Sequence, residues 1–69
     1  MDLLEAIDYY WEEHGYAPSY REIAELMGVN SLNTVHAHVL KAIERGEVLC
    51  GYTSRGHIMP RTLRVFREG

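Results

Sequence analysis

Two helical segments that each run into a glycine, with a turn of only three or four residues between them, constrain this chain more than any other feature. Ser19 to Gly46 reads SYREIAELMGVNSLNTVHAHVLKAIERG. Ser19 and Glu22 have the spacing of a capping box, in which the hydroxyl takes one orphan N–H and the carboxylate returns to the cap's own N–H. Ile23, Leu26 and Met27 form the apolar stripe of this segment, and Gly28 is expected at positive φ, which stops it. Val29-Asn30 is the turn and Ser31 the next N-cap. A helix, a short glycine-containing turn and a second helix make the helix-turn-helix shape, one that many small helical proteins share.

The second of the two segments can be divided by face. At about 100° per residue, Val35, Val39, Ala42 and Ile43 share one arc and face the core. His38 borders that arc and is expected as a half-buried packing histidine. Asn33, Ala37, Leu40, Lys41 and Glu44 lie opposite, with Thr34 and His36 on the flanks. Upstream, Leu3, Leu4, Ile7, Tyr10 and Trp11 make one stripe of a helix, with Asp2 and Glu5 near its positive end. Gly15 closes it, and Pro18 pushes Ala17 out of helical geometry.

After Gly46 the period changes to two. Glu47 to Tyr52 reads as a strand, Thr53 to Arg61 as a basic loop, and Thr62 to Phe66 as a second strand with Leu63 and Val65 inward and Arg64 outward. The expected architecture is α+β, mostly α: a three-helix winged helix-turn-helix with a C-terminal two-stranded β-hairpin wing. Its spans are helix 2–14, helix 19–27, helix 31–45 and hairpin 47–66, within a single domain 1–69.

Sixty-nine residues bury a small core, and a single Cys (Cys50) allows no internal disulfide. The lone thiol fits a reducing compartment, and the sequence shows no secretory signal and no apolar run of membrane-spanning length. A soluble cytoplasmic protein is the expectation. The net charge of −3 hides an asymmetry: residues 1–30 carry seven acidic side chains and one basic, whereas residues 31–69 carry six basic and three acidic. Such a division is compatible with a nucleic-acid-binding face and equally with an uneven solvated surface.

The stretch GYAPSYREIAELMGVNSLNTVHAHVLKAIERG resembles the N-terminal DNA-binding domain of the LexA repressor family. Gly15, Tyr16, Pro18, Ser19, Arg21, Glu22, Ile23, Gly28, Ser31, Thr34, Val35, His36, His38 and Gly46 match the family run, and Arg61-Thr62-Leu63-Arg64-Val65 is similar to its last strand. The family's lead-in to helix 1 is missing, the wing is longer, and the self-cleaving domain with its dimer interface is not in this sequence. The resemblance thus implies DNA binding without autoproteolysis and without the family's usual route to a dimer. A small stand-alone regulator, phage or bacterial, is expected; a cut-down fragment is the alternative.

What the resemblance implies for single residues follows from position. Ser31, Asn33, Thr34, His36 and Ala37 fall where the family contacts bases. Asn can bond adenine bidentately, Thr and Ala can meet a thymine methyl, and His36 can donate to guanine N7 or to phosphate. Tyr20, Arg21, Lys41, Arg55, His57 and Arg61 are the expected phosphate contacts. Tyr9, Tyr10 and Trp11 are the expected dimer or partner surface.

Each of these has a plainer reading. Asn33 and Thr34 can be ordinary solvated helix residues, and the basic wing a soluble turn. His36 and His38 diverge by about 200° on a helix and cannot share a metal. Cys50, His14 and His57 add no ligand spacing. The aromatic cluster on helix 1 fits core and flank better than a stacking platform for single strands. No nucleophile with a general base and no phosphate loop stands in the sequence, so neither an enzyme, a cofactor nor a small-molecule substrate is expected. The expected function is that of a sequence-specific double-stranded DNA-binding regulator of transcription, with repression as its sign, associated with the nucleoid. The rival is a winged helix that binds a protein, such as a host repressor or polymerase, with little DNA binding.

Overall fold

A computed structural model describes residues 1–67; residues 68 and 69, included in the expected span 1–69, lie outside it. Three helices come first: α1 (Leu3–His14), α2 (Tyr20–Met27) and α3 (Leu32–Glu44). Two short strands follow, β1 (Val48–Leu49) and β2 (Arg64–Val65). The architecture is a winged helix-turn-helix: a three-helix body with an antiparallel hairpin.

Local chemistry places the start of each helix and the end of α2. Asp2 caps α1 by accepting the Glu5 amide at 2.9 Å. The box at α2 forms in both directions: Ser19 Oγ accepts the Glu22 amide at 3.3 Å, and the Ser19 amide donates to Glu22 Oε1 at 2.8 Å. Gly28 takes φ 75° and ends α2, its own amide and that of Val29 bonding back to Glu25 and Ala24. Ser31 caps α3 by accepting the Thr34 amide.

The helices enclose a core of Leu3, Ala6 and Ile7 from α1, Ile23 and Ala24 from α2, and Val35, Val39 and Ala42 from α3, closed by Val48 and Leu63 of the hairpin. Removing side chains such as Ile7, Ile23 and Leu63 from water contributes roughly 1.5–3 kcal/mol each and supplies most of the stability. His38 departs from expectation. It is exposed, because beside it the start of α1 leaves an open groove lined by Leu4, Lys41, Arg45 and Glu47.

The hairpin also differs from the two five- or six-residue strands expected. Val48 pairs with Val65 and Leu49 with Arg64, and there the ladder stops. The Gly51 amide donates instead to the Thr62 hydroxyl at 3.0 Å, and that hydroxyl donates to Met59 O at 2.8 Å. Arg61 bulges out at φ 57°. Pairing resumes at one bridge, Tyr52 with Ile58. A side chain has replaced a rung of the main-chain ladder, so the loop expected over 53–61 is really a tip, 53–57, and a bulge, 59–62. The Thr53 hydroxyl braces the tip by accepting the Arg55 and His57 amides.

Candidate nucleic-acid interface

The short turn after Gly28 sets α2 against α3, and the core grips only the Val35–Val39–Ala42 side of α3. Its outer side is left to solvent. Asn33, Thr34, His36, Ala37, Leu40 and Lys41 are all exposed. Within that set Asn33, Thr34 and His36 are hydrogen-bonding groups, and Ala37 and Leu40 are apolar points beside them. Leu40 is 48% exposed, as its outward position on the helix predicted. Ser31 is half-buried and holds the Thr34 amide, so its hydroxyl serves first as a cap. The first turn of α3 contains no acidic side chain, which leaves the positive end of the helix dipole uncompensated.

One tie links this face to α2. The Tyr20 hydroxyl lies 3.1 Å from His36 Nδ1, and the two rings are tilted with centroids 5.6 Å apart. Burial pushes the Tyr20 phenol above its ordinary value. Sequence reasoning placed both residues near DNA but missed that they touch. Two residues sixteen apart, on different helices, leave no periodic signal.

The basic side chains expected at phosphates divide into two groups. Arg21 is exposed at the start of α2, Lys41 is exposed on α3, and Arg55 and His57 stand exposed at the wing tip. Arg61 turns inward. Its Nη1 is 2.9 Å from Glu22 Oε1 and 3.1 Å from Ala17 O, and the guanidinium sits 5.2 Å above the Tyr16 ring. These ties give Arg61 a structural role beside the phosphate contact expected of it, and its side chain stays 46% exposed.

Glu22 is the hub of that anchor. Besides the Ser19 amide and Arg61, its carboxylate accepts the hydroxyl of Tyr10. The Tyr10 bond comes first among the causes that hold the Glu22 carboxyl down to about 2, with the Ser19 amide next. The same bond pushes the Tyr10 phenol up to about 12. Sequence reasoning saw Glu22 only as a cap, because its other partners are distant in the chain.

The expected partner surface on α1 is therefore split. Tyr10 is only 7% exposed and committed to Glu22, so it is no surface residue; its place in the apolar stripe prevails. Tyr9 is exposed. Trp11 is partly exposed and donates its indole N–H to Leu63 O at 2.9 Å, pinning the hairpin to α1. Nearby, Arg67 pairs with Asp8. Among the described residues no cluster of His, Cys, Asp and Glu could hold a metal ion, and no helix is long and apolar enough to cross a membrane.

Comparison with known proteins agrees with this geometry. The family model described as the LexA DNA binding domain matches residues 1–62. A LexA repressor of Limosilactobacillus reuteri (strain DSM 20016) is 35% identical over 69 residues, covering 100% of this chain and 31% of the relative. A LexA repressor of Bacillus thuringiensis (strain Al Hakam) is 36% identical over 68 residues, covering 99% of this chain and 31% of the relative. The chain thus spans about a third of the length of the curated relatives it matches. No solved structure matches it.

Proposed function

The chain belongs to the LexA DNA-binding domain family, and from that premise we propose that it is a sequence-specific double-stranded DNA-binding protein that represses transcription. The observation that carries the proposal is the outer face of α3, where Asn33, Thr34 and His36 stand exposed beside Ala37 on a helix held by a short turn against α2. In this reading α3 enters the major groove and those side chains meet base edges. The Ser31 end of α3 lies toward the backbone. Arg21, Lys41 and Arg55 take phosphates, His57 supports them, and Arg61 keeps the wing in place. Such a protein binds DNA and catalyses nothing, needs no cofactor, and works in the cytoplasm at the nucleoid.

A module of this size covers only about 600–1,000 Å² of protein surface on DNA, little for a genomic target. A homodimer on a two-fold operator would double it. Tyr9 and the exposed edge of Trp11 remain the proposed surface for that contact.

A second reading is favoured by the exposed Tyr9, Leu49 and Phe66, which would suit a protein partner instead. Salt separates the two. Three cations on phosphate give a log–log slope of about −2.7, so a fourfold rise in salt weakens binding roughly 40-fold. The deciding experiment is selection from random duplexes at two salt concentrations. An enriched motif that fades at high salt supports DNA reading, and Asn33→Ala or His36→Ala should then flatten one position each. No enrichment at low salt refutes the proposal in favour of the protein partner.

A further inference from the structure

The contact between Tyr20 and His36 has a chemical consequence for what α3 can read. A neutral imidazole has one nitrogen that donates and one that accepts, and the partner of one nitrogen decides the state of the other. Here Nδ1 is taken, 3.1 Å from the Tyr20 hydroxyl. The other nitrogen, Nε2, is left for a ligand on the exposed face of α3.

Two arrangements fit that distance. In one, the phenol O–H donates to Nδ1, the ring proton sits on Nε2, and the groove meets a donor. In the other, Nδ1–H donates to the phenol oxygen, and the groove meets an acceptor. They differ in what happens to the phenol proton. The Tyr20 hydroxyl has no other hydrogen-bond partner among the described residues; the residue is half-buried, and the contact with His36 is at the surface. The first arrangement satisfies its proton inside the protein; the second leaves it to solvent. The imidazole nitrogen is also a stronger base than a phenol oxygen, which favours the first.

We propose that Tyr20 determines the specificity of His36: its hydroxyl donates to Nδ1, holds the ring proton on Nε2, and so makes α3 select a base edge carrying acceptors, guanine above all. The proposal rests on the reading of α3 as the base-contacting helix. In the major groove guanine shows two acceptors, N7 and O6, whereas cytosine shows the N4 amino donor. An Nε2–H donor therefore favours guanine and rejects cytosine. The opposite tautomer would reverse that choice. The phenol has one proton to give, so Tyr20 cannot also donate to a phosphate, and its expected role as a phosphate contact gives way to that of a positioning residue.

The test has two arms. The first is ¹⁵N NMR of the His36 ring in the free protein, at a pH where the ring is neutral. Wild type should show Nε2 protonated and Nδ1 bare. Tyr20→Phe, which keeps the packed ring and removes the hydroxyl, should move both signals toward a mixture of tautomers. The second arm is selection from random duplexes. Tyr20→Phe should flatten one guanine position roughly three- to tenfold, about the effect of a single hydrogen bond, and leave the position read by Asn33 unchanged. His36→Ala should flatten the same position, and the double variant no further. Nδ1 protonated in the wild type overturns the proposal. So does a Tyr20→Phe variant that weakens all duplexes alike, or a wild-type preference for cytosine at that position. If no motif is enriched, base reading itself fails; the NMR arm then shows separately whether Tyr20 holds the ring.

Discussion

Glu22→Gln removes one charge on which α1, the start of α2 and the root of the wing converge. The carboxylate accepts the Tyr10 hydroxyl, the Ser19 amide and the Arg61 guanidinium. Charge-assisted hydrogen bonds contribute about 1.5–3 kcal/mol each when water is kept away. Glu22 is 28% exposed and Arg61 46%, so water competes for the ion pair, and pairs of that kind are worth about 0–1 kcal/mol. Glutamine also suits this position of a capping box, so the cap survives. The expected loss is about 1–2 kcal/mol, or roughly 5–15 °C in Tm for a domain of this size. The pH dependence is sharper. The folded carboxyl titrates near 2 and the unfolded one near 4.5, so between those values the unfolded chain binds more protons. Stability contributed by Glu22 is complete above pH 4.5 and is lost as pH falls toward 2. Thermal melts followed by circular dichroism should show the full gap between wild type and Glu22→Gln at neutral pH, closing as the pH falls. A variant that melts with wild type at neutral pH refutes the reasoning. So does a gap that stays constant down to the acid limit.

Gly28→Ala meets no atom within 4 Å but must hold φ 75°; the backbone strain should cost about 1–2 kcal/mol in urea unfolding while the folded fraction keeps its DNA preference. Leu63→Ala removes a side chain only 2% exposed and should cost about 2–5 kcal/mol, a large share of the roughly 3–10 kcal/mol that a chain of this length has; urea melts read it directly. Arg55→Ala should weaken cognate and random duplexes alike and reduce the salt slope by about 1, with Tm unchanged. At the alkaline end, the Tyr10 phenol is raised from 10.0 to about 12, so the stability it contributes is present below pH 10 and is lost as pH rises toward 12; Tyr10→Phe should lack that alkaline loss in melts.

The helix ends were legible because they are local: Ser19 with Glu22, and the stops at Gly15 and Gly28, act within four residues. The division of α3 into faces was legible for the same reason, since 3.6-residue periodicity fixes which side meets the core. His38 escaped because its neighbour is an open groove beside the start of α1, which no period within α3 encodes. The ties of Arg61 escaped because its partners, Ala17 and Glu22, lie about forty residues upstream, and a free arginine in a loop looks the same in sequence. The wing ladder was drawn too long because the Thr62 hydroxyl replaces a main-chain rung, a substitution that residue type does not announce. Tyr10 was read both as stripe and as surface, and the carboxylate of Glu22 decided for the stripe.

The wing is a cantilever, clamped at its root and free at its end. Trp11 holds Leu63, Ala17 and Glu22 hold Arg61, and Thr62 ties the bulge to Gly51. Beyond the bridge of Tyr52 and Ile58, the hydrogen bonds of residues 53–57 all close within the tip. Doubling the length of such a loop adds only about 0.6 kcal/mol of closure entropy, whereas shifting the root would break long-range bonds to two helices. Reach and foldedness are therefore separate variables in this molecule. The arm can be lengthened, shortened or recharged to follow a different duplex while the body that carries it stays as it is.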